Sequence, residues 1–160
     1  HDAATADVDR GLTLATEVSY FRGHLFEVQG LVEERRAAYL RAEAERLLER
    51  ADARAVGAAR AVLDELGTKR SQAAVRAESA GPDELDAARS ALDAASVALD
   101  QARERELDPE ERARLDAHRA AALAATERAL AAFARAIAVQ GQVIEESLPP
   151  AASHGAADAR

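Results

Sequence analysis

The chain has no cysteine, no methionine and no tryptophan, and only three Phe and two Tyr among 160 residues. Without cysteine there is no disulfide, no thiolate metal site and no Cys nucleophile. No run approaches the ~20 consecutive apolar residues that span a bilayer, and no signal-peptide pattern is present. The missing methionine extends to position 1, so a chain opening His1-Asp2-Ala3 reads as a processed mature protein or an excised piece. Basic charge is also short. With 21 basic and 29 acidic residues intermingled, net −8, there is no cationic stripe of the kind that binds nucleic acid by counterion release, or that binds an anionic membrane surface. Eight Gly and four Pro leave few places for the chain to break.

What is present is alanine, 43 residues of it, with Arg, Glu and Leu behind. These are the strongest helix formers, so the chain favours helix before any packing is considered, and the expected class is all-α. Small side chains bury little area each, at about 25 cal/mol per Å², so stability has to come from length of contact. Long helices are the expected solution.

Residues 1–9 are polar and expected to fray. From Leu14 apolar positions recur at steps of four and three through Val18, Phe21, Leu25, Val28 and Val32 to Tyr39, the pattern of a coiled-coil stripe. Gly23 and Gly30, seven apart, suit close helix packing. The phase slips after Tyr39, which points to a stutter or to a turn near Arg50–Ala53 with Asp52 as cap. Gly67 is the stronger local stop signal. Gly81-Pro82-Asp83-Glu84 reads as a central reversal, with Gly closing one helix and Pro at the first position of the next. Leu85, Ala88, Leu92, Ala95, Leu99 and Ala102 continue at three and four. Asp108-Pro109-Glu110-Glu111 then has the form of a capping box opening a fresh helix. That last helix runs to about Ser147 with Leu123, Thr126, Leu130, Phe133, Ile137, Gln140 and Ile144 at heptad spacing. Pro149-Pro150 ends it, and 149–160 reads as a flexible tail. Two architectures fit residues 10–148: an antiparallel four-helix bundle with long outer helices, turning near Arg50 and again at Asp108, or an elongated α-helical hairpin that runs through Arg50 and kinks at Asp108.

Candidate chemistry is sparse. His24 has Glu27 three residues on and Glu17 seven before, a weak metal-ligand grouping with Arg22, Arg35 and Arg36 competing for the carboxylates; no second Glu/His cluster completes a bundle metal site. A small ligand between helices would meet Phe21, Leu25 and Phe26, and an inward Arg35 or Arg46 would meet its carboxylate or, more simply, an interhelical acid. No Gly-x-Ser-x-Gly elbow and no Gly-rich phosphate loop occurs, so neither catalysis nor a cofactor is expected.

The segment from Gly81-Pro82-Asp83-Glu84 through Leu92 and Leu99 to Ala102-Arg103, about 25 residues, resembles the returning helix in the α-hairpins of bacterial membrane fusion proteins and outer-membrane efflux factors. That resemblance implies a hairpin tip that touches a partner protein. The layout of long outer and shorter inner helices is similar to that of the extracytoplasmic four-helix sensor domains of chemoreceptors and histidine kinases, which implies flanking membrane segments outside this chain. The expected function is therefore a non-enzymatic domain that works by association with a protein partner or with itself, as the extracytoplasmic sensing or docking part of a membrane-linked protein. A cytoplasmic coiled-coil scaffold and a ligand-binding bundle are the alternatives.

Overall fold

The computed structural model describes residues 2–147, which form five helices and no strand: α1 (Asp2–Leu14), α2 (Tyr20–Arg54), α3 (Gly57–Ser79), α4 (Leu85–Arg105) and α5 (Pro109–Ser147). The all-α class holds. Among the described residues no helix is long and apolar enough to cross a membrane. The expected tail, 149–160, lies outside the described residues. The chain divides into two compact units, one of residues up to Ala37 together with the chain from Leu123, the other Ala38–Ala122.

In the first unit α1 replaces the expected frayed start. Asp2 favours the positive helix N-terminus, Val8 is buried, and α1 is tied to α2 by Asp9 Oδ1 accepting from Gln29 Nε2 at 3.2 Å and by an Asp2–Arg36 ion pair at 3.3 Å. The continuous stripe expected from Leu14 is interrupted at residues 15–19. There the Arg22 guanidinium donates to the free carbonyl of Ala15, and Ser19 Oγ accepts the Arg22 backbone N–H, which starts α2.

Helix α2 then packs antiparallel on α5. Its buried positions in this unit are Gly23, Phe26, Gly30, Glu33 and Ala37, at steps of three and four, and they face Ala125, Ala129, Ala132 and Ala136 of α5. Of the bulky residues on the expected stripe, Phe21 stays outside this seam, 60% exposed, and Leu25, Val28 and Val32 are only partly buried. Small residues take the contact because they let the two backbones approach. A Cβ on Gly30 would lie 2.5 Å from Phe133 Cε1, and one on Gly23 would lie 3.0 Å from Gln140 Cγ.

In the second unit the α2–α3 break falls at Ala55-Val56, just past the Arg50–Ala53 window. Gly57 has φ +57, a left-handed conformation that a side chain strains to adopt, and α3 begins without a side-chain cap. Gly67, expected to stop a helix, lies inside α3. The central reversal is where the sequence places it. However, Pro82 lies in a turn closed by the Glu84 N–H to the Gly81 carbonyl at 3.0 Å; α4 starts only at Leu85, and Gly81 is not left-handed. The residue before proline is held in extended geometry, which keeps Gly81 from acting as a helix C-cap.

The capping box at Asp108 is realised. Asp108 Oδ1 accepts the Glu111 N–H at 2.8 Å, and Glu111 Oε2 accepts the Asp108 N–H at 3.3 Å. The chain reverses here rather than kinking: Arg119 pairs with both Glu104 and Asp100, residues that a continuous helix would leave about 22 Å or more away. Leu47, Leu48, Leu107 and Leu115 form one core cluster with Ala44 and Ala51; Ala55, Leu63, Leu99 and Ala102 form another. Replacing Asp108 with Ala is expected to cost about 1 kcal/mol. The check is a lower urea midpoint at unchanged m-value.

Candidate functional site

The residues nominated from sequence are not brought together. Phe26 is buried, with the guanidinium groups of Arg22 and Arg135 over its ring, 5.5 and 5.9 Å from its centre. Leu25 packs toward Gly11 of α1. Phe21 lines a shallow 420 Å³ cleft with Leu14, Ala15, Thr16, Glu17 and Ser19, and neither Leu25 nor Phe26 reaches it. Arg35 is exposed, and Arg46 pairs with Glu43 on its own helix, so neither points inward as expected. His24 Nδ1 lies 3.2 Å from Glu27 Oε2 on an exposed face, while Glu17 lies in the α1–α2 linker. Among the described residues no group of three or more His, Asp or Glu is placed to hold a metal ion.

The inward arginine is Arg103. It is shielded in the second unit, with Nη1 3.3 Å from Glu45 and Nη2 3.4 Å from Asp52, and Asp100 stands 3.7 Å away. Burial and the neighbouring Glu45 push the Asp100 carboxyl up, against the pull of Arg103, Arg119 and Arg70. At the start of α5 the hydrogen bond from Arg54 holds Glu111 below the usual carboxylate range. These ion pairs stitch α2, α4 and α5 together; Arg103 Nε is buried without a hydrogen-bond partner, and Asp52 and Arg103 line an open cleft of about 470 Å³.

Two surfaces stand out instead. On α5, Leu123, Leu130, Ile137 and Ile144 are 62, 65, 70 and 59% exposed. They recur every seven residues, so they form one lateral stripe about 31 Å long at 1.5 Å per residue. Ala125, Ala129, Ala132 and Ala136 occupy the buried face of the same helix, so α5 is apolar on two sides. The two cations within this stretch are turned away from the stripe: Arg128 donates to the buried Glu33 at 2.9 Å, and Arg135 lies over Phe26. Glu127 is the one acid between Leu123 and Ile144. Exposed leucine and isoleucine occurring singly need no explanation, but four in register with no charge interleaved beyond Glu127 mark an interaction face.

The second surface is the distal part of the α3–α4 hairpin. No residue between Leu63 and Leu99 is buried. An open groove of about 600 Å³ runs between the two helices, floored by Ala73, Ala80, Ala88, Ala91 and Ala95 and edged by Lys69 and Arg76.

The heptad spacing of α5 is legible in the sequence, but spacing alone does not say whether that face is core or surface. The signal that separates the two faces is the run of alanines one residue out of phase with the leucines. No known protein family matches the chain, and no curated protein or solved structure is significantly similar to it.

Proposed function

We propose that this chain is a non-enzymatic helical interaction domain whose principal contact surface is the outer face of α5. The observation that carries the reading is the heptad of Leu123, Leu130, Ile137 and Ile144 left in water while alanines on the same helix form the buried seam. A helix gains nothing internally from large apolar side chains on its solvent face. At about 25 cal/mol per Å², covering them with a partner is favourable. The extracytoplasmic, membrane-linked setting implied by the resemblance to sensor domains belongs to the same proposal. It is tested by whether the parent gene encodes hydrophobic spans on either side of this segment.

The interface role makes a direct prediction. The double variant Leu130→Gln/Ile137→Gln, melted at about 1 µM so that self-association does not contribute, should keep its helical circular dichroism and lose under about 1 kcal/mol. A loss above about 4 kcal/mol would mean that these side chains pack in the chain's own core, and the reading would fall.

A second reading is favoured by the unburied distal part of the α3–α4 hairpin: a docking tip, as the resemblance to efflux α-hairpins implies. Its groove, floored by alanine, suits an apolar helix face. Substitutions at Ala88 and Ala91 that weaken partner binding while α5 substitutions do not would favour it over the first.

A further inference from the structure

Gly141 is a helix-interior glycine without an internal reason. A Cβ built there meets nothing within 4 Å, in contrast to Gly23 and Gly30, where the packed neighbour requires its absence. Helical glycine is unfavourable by about 1 kcal/mol relative to Ala. Its position explains it. From Leu123, steps of four and three along α5 give Leu123, Glu127, Leu130, Ala134, Ile137, Gly141 and Ile144, an a/d heptad with a large residue at every first position and Ala or Gly at two of the three second positions. Ala134 is exposed, and the space over Gly141 is open.

Resting on the reading of this face as an interface, we infer that its partner is a second copy of the same chain, with the two α5 helices antiparallel. The geometry selects this arrangement. In a parallel pair like positions share a layer, so Gly141 would face Gly141 and leave a void, and Glu127 would face the like charge of Glu127. In an antiparallel pair the first position of one helix shares a layer with the second position of the other. Leu130 then fits over Gly141 of the second copy, Ile137 over Ala134, and Ile144 meets Glu127 at the edge, where its carboxylate stays wet. The two central knobs, Leu130 and Ile137, each have a hole, and the contact is isologous. A face one helix wide and about 31 Å long buries on the order of 700 Å² in total, below the ~1,200 Å² of a standard stable interface, so the dimer is weak and concentration-dependent.

The test is sedimentation equilibrium on the full chain from about 10 µM to about 1 mM, a range that resolves a weak dimer. The expected result is reversible dimerisation. Gly141→Leu should weaken it at least tenfold while leaving the monomer folded, and Leu130→Ala added to Gly141→Leu should restore it by exchanging knob and hole. Because the chain has no cysteine, orientation can be read by oxidation. An equimolar mixture of Glu127→Cys and Ile144→Cys should cross-link between the two variants, and neither should cross-link alone, since self-pairing would have to bridge about 25 Å. A chain monomeric at about 1 mM overturns the self-pairing; if Leu130→Gln/Ile137→Gln is then still tolerated by the fold, the interface reading stands with a different helix as partner. A dimer indifferent to Gly141→Leu, or one in which each cysteine variant cross-links only with itself, also overturns the proposal.

Discussion

Phe26→Ala is expected to destabilise the chain by about 3–5 kcal/mol, and Phe21→Ala by under about 1 kcal/mol. The two aromatics are five residues apart on α2, and both read from sequence as lining one apolar face. Phe26 is 8% exposed, placed on the α2–α5 seam with the Arg22 and Arg135 guanidinium groups over its ring. Its removal leaves a ring-sized void in a seam whose buried neighbours are mostly Gly and Ala, too small to collapse into it. The two arginine stems lose their packing surface as well. Phe21, 60% exposed beside the α1–α2 linker, gives up little on truncation. Urea melts of the two variants decide the matter. Equal losses would mean that the seam runs through Phe21 after all.

How legible the fold was depended on how local each signal was. Asp108-Pro109-Glu110-Glu111 was readable because a capping box satisfies its own backbone groups within four residues, whatever surrounds it. Gly81-Pro82 was readable as a reversal for the same reason, although the proline's exact place in the turn was not. The α1–α2 break was missed because Ala15-Thr16-Glu17-Val18-Ser19 contains neither Gly nor Pro. What holds it open is a side chain from the next helix, Arg22, reaching back to Ala15.

The seam was misread for a different reason. With alanine at so many positions, α5 shows the same three-and-four period on two faces, Ala122-Ala125-Ala129-Ala132-Ala136 and, one residue on, the leucine stripe. Hydrophobic periodicity fixes a helix and its pitch but does not rank two apolar faces. Bulk suggests the wrong one here, because the distance between helix axes is set by the smallest side chains in contact. The pair Gly23 and Gly30 carried that information, since helix-interior glycines seven residues apart mark where backbones come close. The interaction face on α5 is the remainder left once the alanines are assigned to the seam, so it was legible only after the partner of each face was known.

Gly30 is where that close approach is most demanding. A Cβ there would lie 2.5, 2.7 and 2.8 Å from three atoms of the Phe133 ring, closer than packed carbons come. Gly30→Ala therefore sets a helix-propensity gain of about 1 kcal/mol against an overlap costing about 1–3 kcal/mol, and should come out mildly destabilising. Gly30→Leu has no room at all and should cost about 3 kcal/mol or more, separating α2 from α5 along the glycine and alanine contacts on either side. Gly141→Ala provides the control: it carries the same propensity gain with open space above it, and at low concentration should stabilise the monomer by up to about 1 kcal/mol. Phe133 is the stated obstacle, so Gly30→Ala combined with Phe133→Ala should be less destabilised than the sum of the single variants by about 1 kcal/mol or more. Strict additivity in that double-mutant cycle would show that the ring moves aside freely, and that the glycine is not what sets the spacing of the two helices.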